Sequence, residues 1–108
     1  MSETGTIVWP AIKALNGIPG VVACRLHSGK PKVRGGYMQS NPIGTADIVA
    51  SVHGAVVFIE AKLPGEKLRA EQRMFQDRVE RTGARYEIIE SSSEAIAIAL
   101  KMLKERQS

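Results

Sequence analysis

Ala46-Asp47-Ile48-Val49-Ala50-Ser51-Val52-His53-Gly54-Ala55-Val56-Val57-Phe58-Ile59-Glu60-Ala61-Lys62 is the stretch that decides how this chain folds. Two runs rich in β-branched and apolar residues, Ala46 to Val52 and Ala55 to Leu63, flank the pair His53-Gly54. A two-residue break with glycine supplies the positive φ of a tight hairpin. The second run stays apolar until Glu60, as in a strand buried on both faces. With His53 and Gly54 as the loop, Val52 pairs with Ala55, and counting outward sets Asp47 directly opposite Glu60. Opposed side chains share a face, with Cβ atoms about 4.5–5.5 Å apart. Two carboxylates so placed repel, and burying them is costly unless something compensates. A divalent cation does so, and an all-oxygen ligand set favours Mg²⁺ or Mn²⁺ over zinc. Lys62 falls on the face of Glu60 by period-2 alternation, which puts an ammonium beside the cation. There it is placed to orient a water or to stabilise charge developing on a phosphate. The bland alternative is a structural Glu60–Lys62 pair on an exposed sheet face. Phe58 and Ile59, which mark the strand as central, count against it.

Working outward, Pro64-Gly65 ends the second strand, and a helix is expected from about Lys67 to Thr82, stopped by Gly83. Leu68, Gln72, Phe75 and Val79 form its inward stripe, with Gln72 as the polar member. A buried amide needs partners: a carboxylate or water of the site supplies them, or backbone at the helix edge does. Arg85 to Glu90 alternates as a strand, and Ser91-x-x-Glu94 opens a last helix through about Glu105. Ile96, Ala99 and Leu103 are its expected inner face. Upstream, Ile7, Ala11 and Leu15 mark a short first helix, with Thr4 or Thr6 as its cap and Pro10 confined to its first turn. Val21 to Leu26 has strand composition, and Cys24 within it reads as inert. The expected class is α/β, a mixed sheet flanked by helices in the order α-β-β-β-α-β-α.

The chain has 108 residues, which fits one domain spanning 1–108. Its single cysteine excludes an internal disulfide framework and suits a reducing compartment. No apolar run approaches the roughly 20 residues that span a bilayer, so no membrane partner is expected. The formal charge is +4, and all of the surplus lies upstream of Asp47. Between Glu3 and Asp47 there is no acid, whereas Lys13, Arg25, Lys30, Lys32 and Arg34 are basic. Residues 28–45 carry several glycines and prolines among these charges, as a long flexible basic loop would. Arg25, Ser28, Lys30, Lys32 and Arg34 are the candidate phosphate contacts, since Lys/Arg clusters supply affinity without base specificity. A solvated surface loop is the competing reading.

Gly44-Thr45-Ala46-Asp47, Ile59-Glu60-Ala61-Lys62 and Glu71-Gln72-x-x-Phe75, in that order, resemble the VRR-NUC branch of the PD-(D/E)XK nucleases. The resemblance implies a restriction-endonuclease-like fold and a metal-dependent DNA endonuclease. By it, Asp47, Glu60 and the backbone carbonyl of Ala61 ligate Mg²⁺ or Mn²⁺, Lys62 assists catalysis, and Gln72 completes the motif. The family often adds a glutamate from the first helix, and Glu3 is the candidate here. Ala46 stands where the superfamily label has proline. Small standalone members resemble structure-selective enzymes of phage and bacterial origin, acting on branched DNA such as Holliday junctions. A chain this short leaves recognition to shape, flaps or a second subunit, so a homodimer is expected. The alternative is a non-catalytic nucleic-acid-binding accessory protein that retains the nuclease fold.

Overall fold

The computed structural model of this protein describes residues 3–26, 32–37 and 42–107. Its central sheet runs β1 (Val21–Arg25), β4 (Ile48–Val52), β5 (Ala55–Ala61) and β6 (Arg85–Ile89), in that spatial order. The remaining strands, β2 (Lys32–Val33) and β3 (Gly36–Tyr37), form a separate small hairpin within the basic segment expected to be a loop. The β4–β5 register is the expected one, from Val52↔Ala55 out to Ile48↔Ile59. His53 at φ 48° and Gly54 at φ 88° give the two left-handed residues that such a turn demands. β5 and β6 are parallel, which requires a crossover, and α2 (Ala70–Arg81) provides it. Two further helices, α1 (Trp9–Asn16) and α3 (Ser92–Gln107), complete the expected order.

One face of the sheet carries Ala23, Ile48, Ala50, Val57, Ile59, Ala61 and Ile89, all buried under α1 and α3. Ile7, Ala11 and Leu15 point into this core as their spacing requires. At the end of α1, Asn16 pairs with both backbone groups of one residue on the free edge of β1. Its Nδ2 donates to the Ala23 carbonyl at 3.0 Å, and the Ala23 N–H donates to Oδ1 at 2.9 Å. The other sheet face packs Phe58, Tyr86 and Ala46 against Phe75 and Val79 of α2.

Several boundaries differ from expectation for physical reasons. A π-helical turn, Thr4–Val8, precedes α1, so neither Thr4 nor Thr6 acts as a cap. Pro10 has no N–H and its ring crowds the preceding turn, and the wider spacing, with the Trp9 N–H on the Thr4 carbonyl, accommodates it. Helix α2 starts at Ala70 rather than Lys67, because Arg69 is extended (ψ 166°). The inner face of α3 is Ala95, Ala99 and Met102, one position round from the expected stripe, and Ile96 is only half-buried. Strand β5 is buried on both faces only toward its end, since Val56 is 42% exposed where α2 does not reach. Cys24 is exposed on that same uncovered face.

Candidate active site

β5 ends in Glu60 and Ala61, followed by Lys62, and all three are buried. Asp47 lies one residue before β4, opposite Glu60 by continuation of the ladder. Its Oδ2 accepts the Ala61 N–H at 2.9 Å. In a strand the N–H and C=O of one residue point to the same edge, so the Ala61 carbonyl also faces Asp47. Lys62 is tied to β6 by its backbone, its N–H donating to the Ile89 carbonyl at 2.9 Å. Its Nζ stands 3.9 Å from Glu60 Oε2, an ion pair too long for a hydrogen bond.

Gln72 fulfils both of the roles that its position allowed. It is the third residue of α2, and its Oε1 reaches back to accept the Arg69 N–H at 2.8 Å, closing the helix start. Its Nε2 donates to Glu60 Oε2 at 3.0 Å. One amide therefore begins the helix and fixes a carboxylate.

These side chains line one polar cavity of about 220 Å³, together with Glu3, Gly44, Thr45, Glu66 and Arg69. The π-helical turn at the start of the chain places Glu3 at its rim. Burial and a hydrogen bond with Glu66 raise the pKa of Glu3. Glu66, which also accepts the Leu63 N–H at 2.7 Å, is correspondingly lowered by its bonds to Glu3 and Leu63. Burial and the nearby charge of Asp47 push the Glu60 carboxyl up to about 8, against the pull of Lys62. Among the described residues no donor reaches the buried Glu60 Oε1, and the Glu60 carboxyl hydrogen-bonds the Asp47 carboxyl only while it holds a proton. Either a proton or a hard cation can hold these two buried carboxyl groups together, and once both are ionised the oxygen donors present fit Mg²⁺ or Mn²⁺. Among the described residues no three His, Cys, Asp or Glu side chains form a metal-holding group, so two carboxylates and a main-chain carbonyl are the set on offer.

The loop that delivers Asp47 depends on Gly44. Thr45 closes a turn onto Pro42, its N–H donating to the Pro42 carbonyl at 3.2 Å. Gly44 sits at φ 89° against the first turn of α2, where a Cβ would clash with the Glu71 carbonyl. Gly44→Ala is expected to cost about 1–3 kcal/mol from the positive φ alone, and the clash adds to it. Urea unfolding with an unchanged midpoint would contradict this.

The basic residues are placed unevenly. Arg25 lies level with Ile48 and Ile59, on the sheet face away from Glu60. Its guanidinium sits 5.3 Å from the centre of the half-exposed Trp9 ring, a cation–π contact. Arg34 is at the exposed turn of the small hairpin, and Lys32 is in β2. Ser28 and Lys30 lie outside the described residues. Sequence reasoning passed over Glu66 and Arg69. The signal for Arg69 was its place three residues before Gln72, at a helix start where Ser, Thr, Asp or Asn is usual.

No family model matches this sequence, and no curated protein matches it. A solved structure titled "VRR_NUC domain" superposes with a TM-score of 0.64, over 91% of this chain and 95% of that one, at 17% sequence identity. The mixed four-stranded sheet with its helices on both faces is the VRR_NUC fold.

Proposed function

We propose that this chain is a divalent-metal-dependent nuclease that hydrolyses phosphodiester bonds in DNA. The observation that carries the proposal is the buried pair Glu60 and Asp47, with no donor on Glu60 Oε1 among the described residues, in a cavity that also holds Lys62. Asp47, Glu60 and the Ala61 carbonyl would hold the ion, with Glu3 and Glu66 at the rim of the same cavity. When bound, Mg²⁺ or Mn²⁺ supplies Lewis-acid polarisation of the phosphate and a more acidic water. Lys62, a buried cation whose ammonium makes no hydrogen bond among the described residues, orients the attacking water and stabilises charge on the phosphate oxygens. Gln72 keeps Glu60 in its rotamer through the 3.0 Å bond. The test is a gel of labelled junction, flap and linear duplex with and without Mg²⁺. Binding without cleavage on every substrate would leave the accessory-protein reading instead.

The favoured substrate is branched DNA such as a Holliday junction, cut by a homodimer that offers two sites to a two-fold substrate. The basic residues upstream of Asp47 suit contacts with phosphates rather than with base edges. A monomer by sedimentation, both free and on junction DNA, would end the dimer proposal. A phage or bacterial cytoplasmic setting belongs to this same reading. Among the described residues no helix is long and apolar enough to cross a membrane.

Arg69 is the cation that this reading adds to the substrate path. It is exposed at the mouth of the cavity and makes no ion pair among the described residues. A cation at the positive end of a helix is drawn to anions, and Glu66 in the same cavity already feels its charge. Arg69→Ala is expected to weaken DNA binding and to lower the slope of log K against log salt by about one. The folded chain should keep its stability to within about 0.5 kcal/mol, since exposed charges contribute little. An unchanged salt slope would remove Arg69 from the interface.

A further inference from the structure

Among the described residues two buried side-chain polar atoms lack a hydrogen-bond partner, Glu60 Oε1 and the Tyr86 hydroxyl. They are neighbours. Glu60 pairs with Ile88 and Phe58 with Tyr86 across the β5–β6 ladder, so Tyr86 is the diagonal neighbour of Glu60 on one sheet face. Diagonal partners about 7–8 Å apart are within reach of an aromatic side chain. The Tyr86 ring is 7% exposed, packed among Ala46, Val79 and Phe75, with its centre 6.4 Å from that of Phe75. Phenylalanine would fill such a cluster equally well. A hydroxyl buried there without a partner costs about 1–3 kcal/mol. The two orphaned atoms are chemically complementary, because a phenol donates and a carboxylate oxygen accepts. Burial and the charges of Glu60 and Asp47 raise the pKa of Tyr86, so the phenol keeps the proton that it would donate.

We infer that Tyr86 is a positioning residue for Glu60: in the cation-loaded site its hydroxyl donates to the Glu60 carboxylate, directly or through one trapped water. Gln72 then restrains one carboxylate oxygen and Tyr86 the other, and each oxygen keeps a lone pair for the ion. The Glu60 side chain is thereby held against rotation from two elements, α2 and β6. Outer partners of this kind orient a metal-ligating carboxylate and tune its affinity. The inference rests on the cation reading of the preceding section.

The test is Tyr86→Phe in the full chain, measured by calorimetric titration with Mn²⁺ and by thermal unfolding in chelator. Mn²⁺ affinity is expected to fall about tenfold. The unfolding midpoint in chelator should stay level or rise, since an unpartnered hydroxyl has been removed. A merely structural tyrosine would move the midpoint and leave the affinity alone. Wild-type Mn²⁺ affinity in the variant overturns the role of Tyr86 and leaves the cation site standing. A wild-type chain that binds no Mn²⁺ overturns the cation reading and this inference with it.

Discussion

Lys62→Ala is expected to lower Mg²⁺-dependent DNA cleavage by about 100- to 1000-fold while DNA binding persists. That range is what the loss of one preorganised charge at a reacting centre costs. The argument rests on where the ammonium is and on what it lacks. Its stem is buried at the end of the central strand, and its backbone is fixed to β6 by the 2.9 Å bond to Ile89. Its only ion pair among the described residues is with Glu60 at 3.9 Å, so its donors face the cavity unspent. Removing the head group leaves Glu60 with less opposing charge, but that carboxyl is already shifted toward its neutral form. The fold therefore tolerates the change. Lys62→Met, which keeps most of the stem, should match Lys62→Ala in rate and exceed it in stability. Undiminished Mg²⁺-dependent cleavage by either variant would sink the proposed role of Lys62.

Glu60→Gln carries the second large effect, and it runs opposite to the usual loss on mutating a buried residue. The carboxyl has an ordinary value of 4.5 in an unfolded chain and about 8 in the metal-free fold. Burial is the first cause and the charge of Asp47 the second, with Lys62 opposing both. Between those values the folded state holds a proton that the unfolded chain has released. Stability contributed by this group is thus complete below about pH 4.5 and is lost as pH rises through about 8. The total is on the order of a few kcal/mol. A neutral amide has no such dependence, so Glu60→Gln should be more stable than wild type at pH 8 in chelator and should bind Mn²⁺ far more weakly. For the wild type, Mn²⁺ binding near neutral pH should release a proton, because the ligand must be ionised. Urea unfolding in chelator from pH 5 to 9 reads this directly. A flat wild-type profile, or a variant less stable than wild type at pH 8, would overturn the account.

The hairpin was legible because its information is local. His53-Gly54 fixes the turn, the turn fixes the register, and the register sets Asp47 opposite Glu60 without any knowledge of the rest of the chain. The side of Lys62 follows from period two. Other features depended on distant packing. Whether Ile96 or Ala95 faces inward is a question of how α3 rolls on the sheet, and the small side chains of Ala95 and Ala99 allow the closer approach. The start of α2 was misjudged by three residues because Leu68 continues the apolar period, although Arg69 is extended and Leu68 packs from outside the helix. Gln72 looked like a choice between a structural and a functional amide, and its two ends serve both. The Tyr86 hydroxyl carried no signal in one dimension, since nothing in the strand Arg85 to Ile89 distinguishes a tyrosine that packs from one that also donates.

The double use of Gln72 gives this protein a built-in reporter. The Arg69 amide hydrogen is held by the oxygen of the same side chain whose nitrogen holds Glu60. Exchange of that one amide with solvent deuterium therefore reads the state of the carboxylate from the far side of the amide group. Any event that pulls Gln72 toward Glu60, or lets it go, changes how often the first turn of α2 frays. A single backbone resonance, that of Arg69, would then follow occupancy of the site in real time without a labelled substrate.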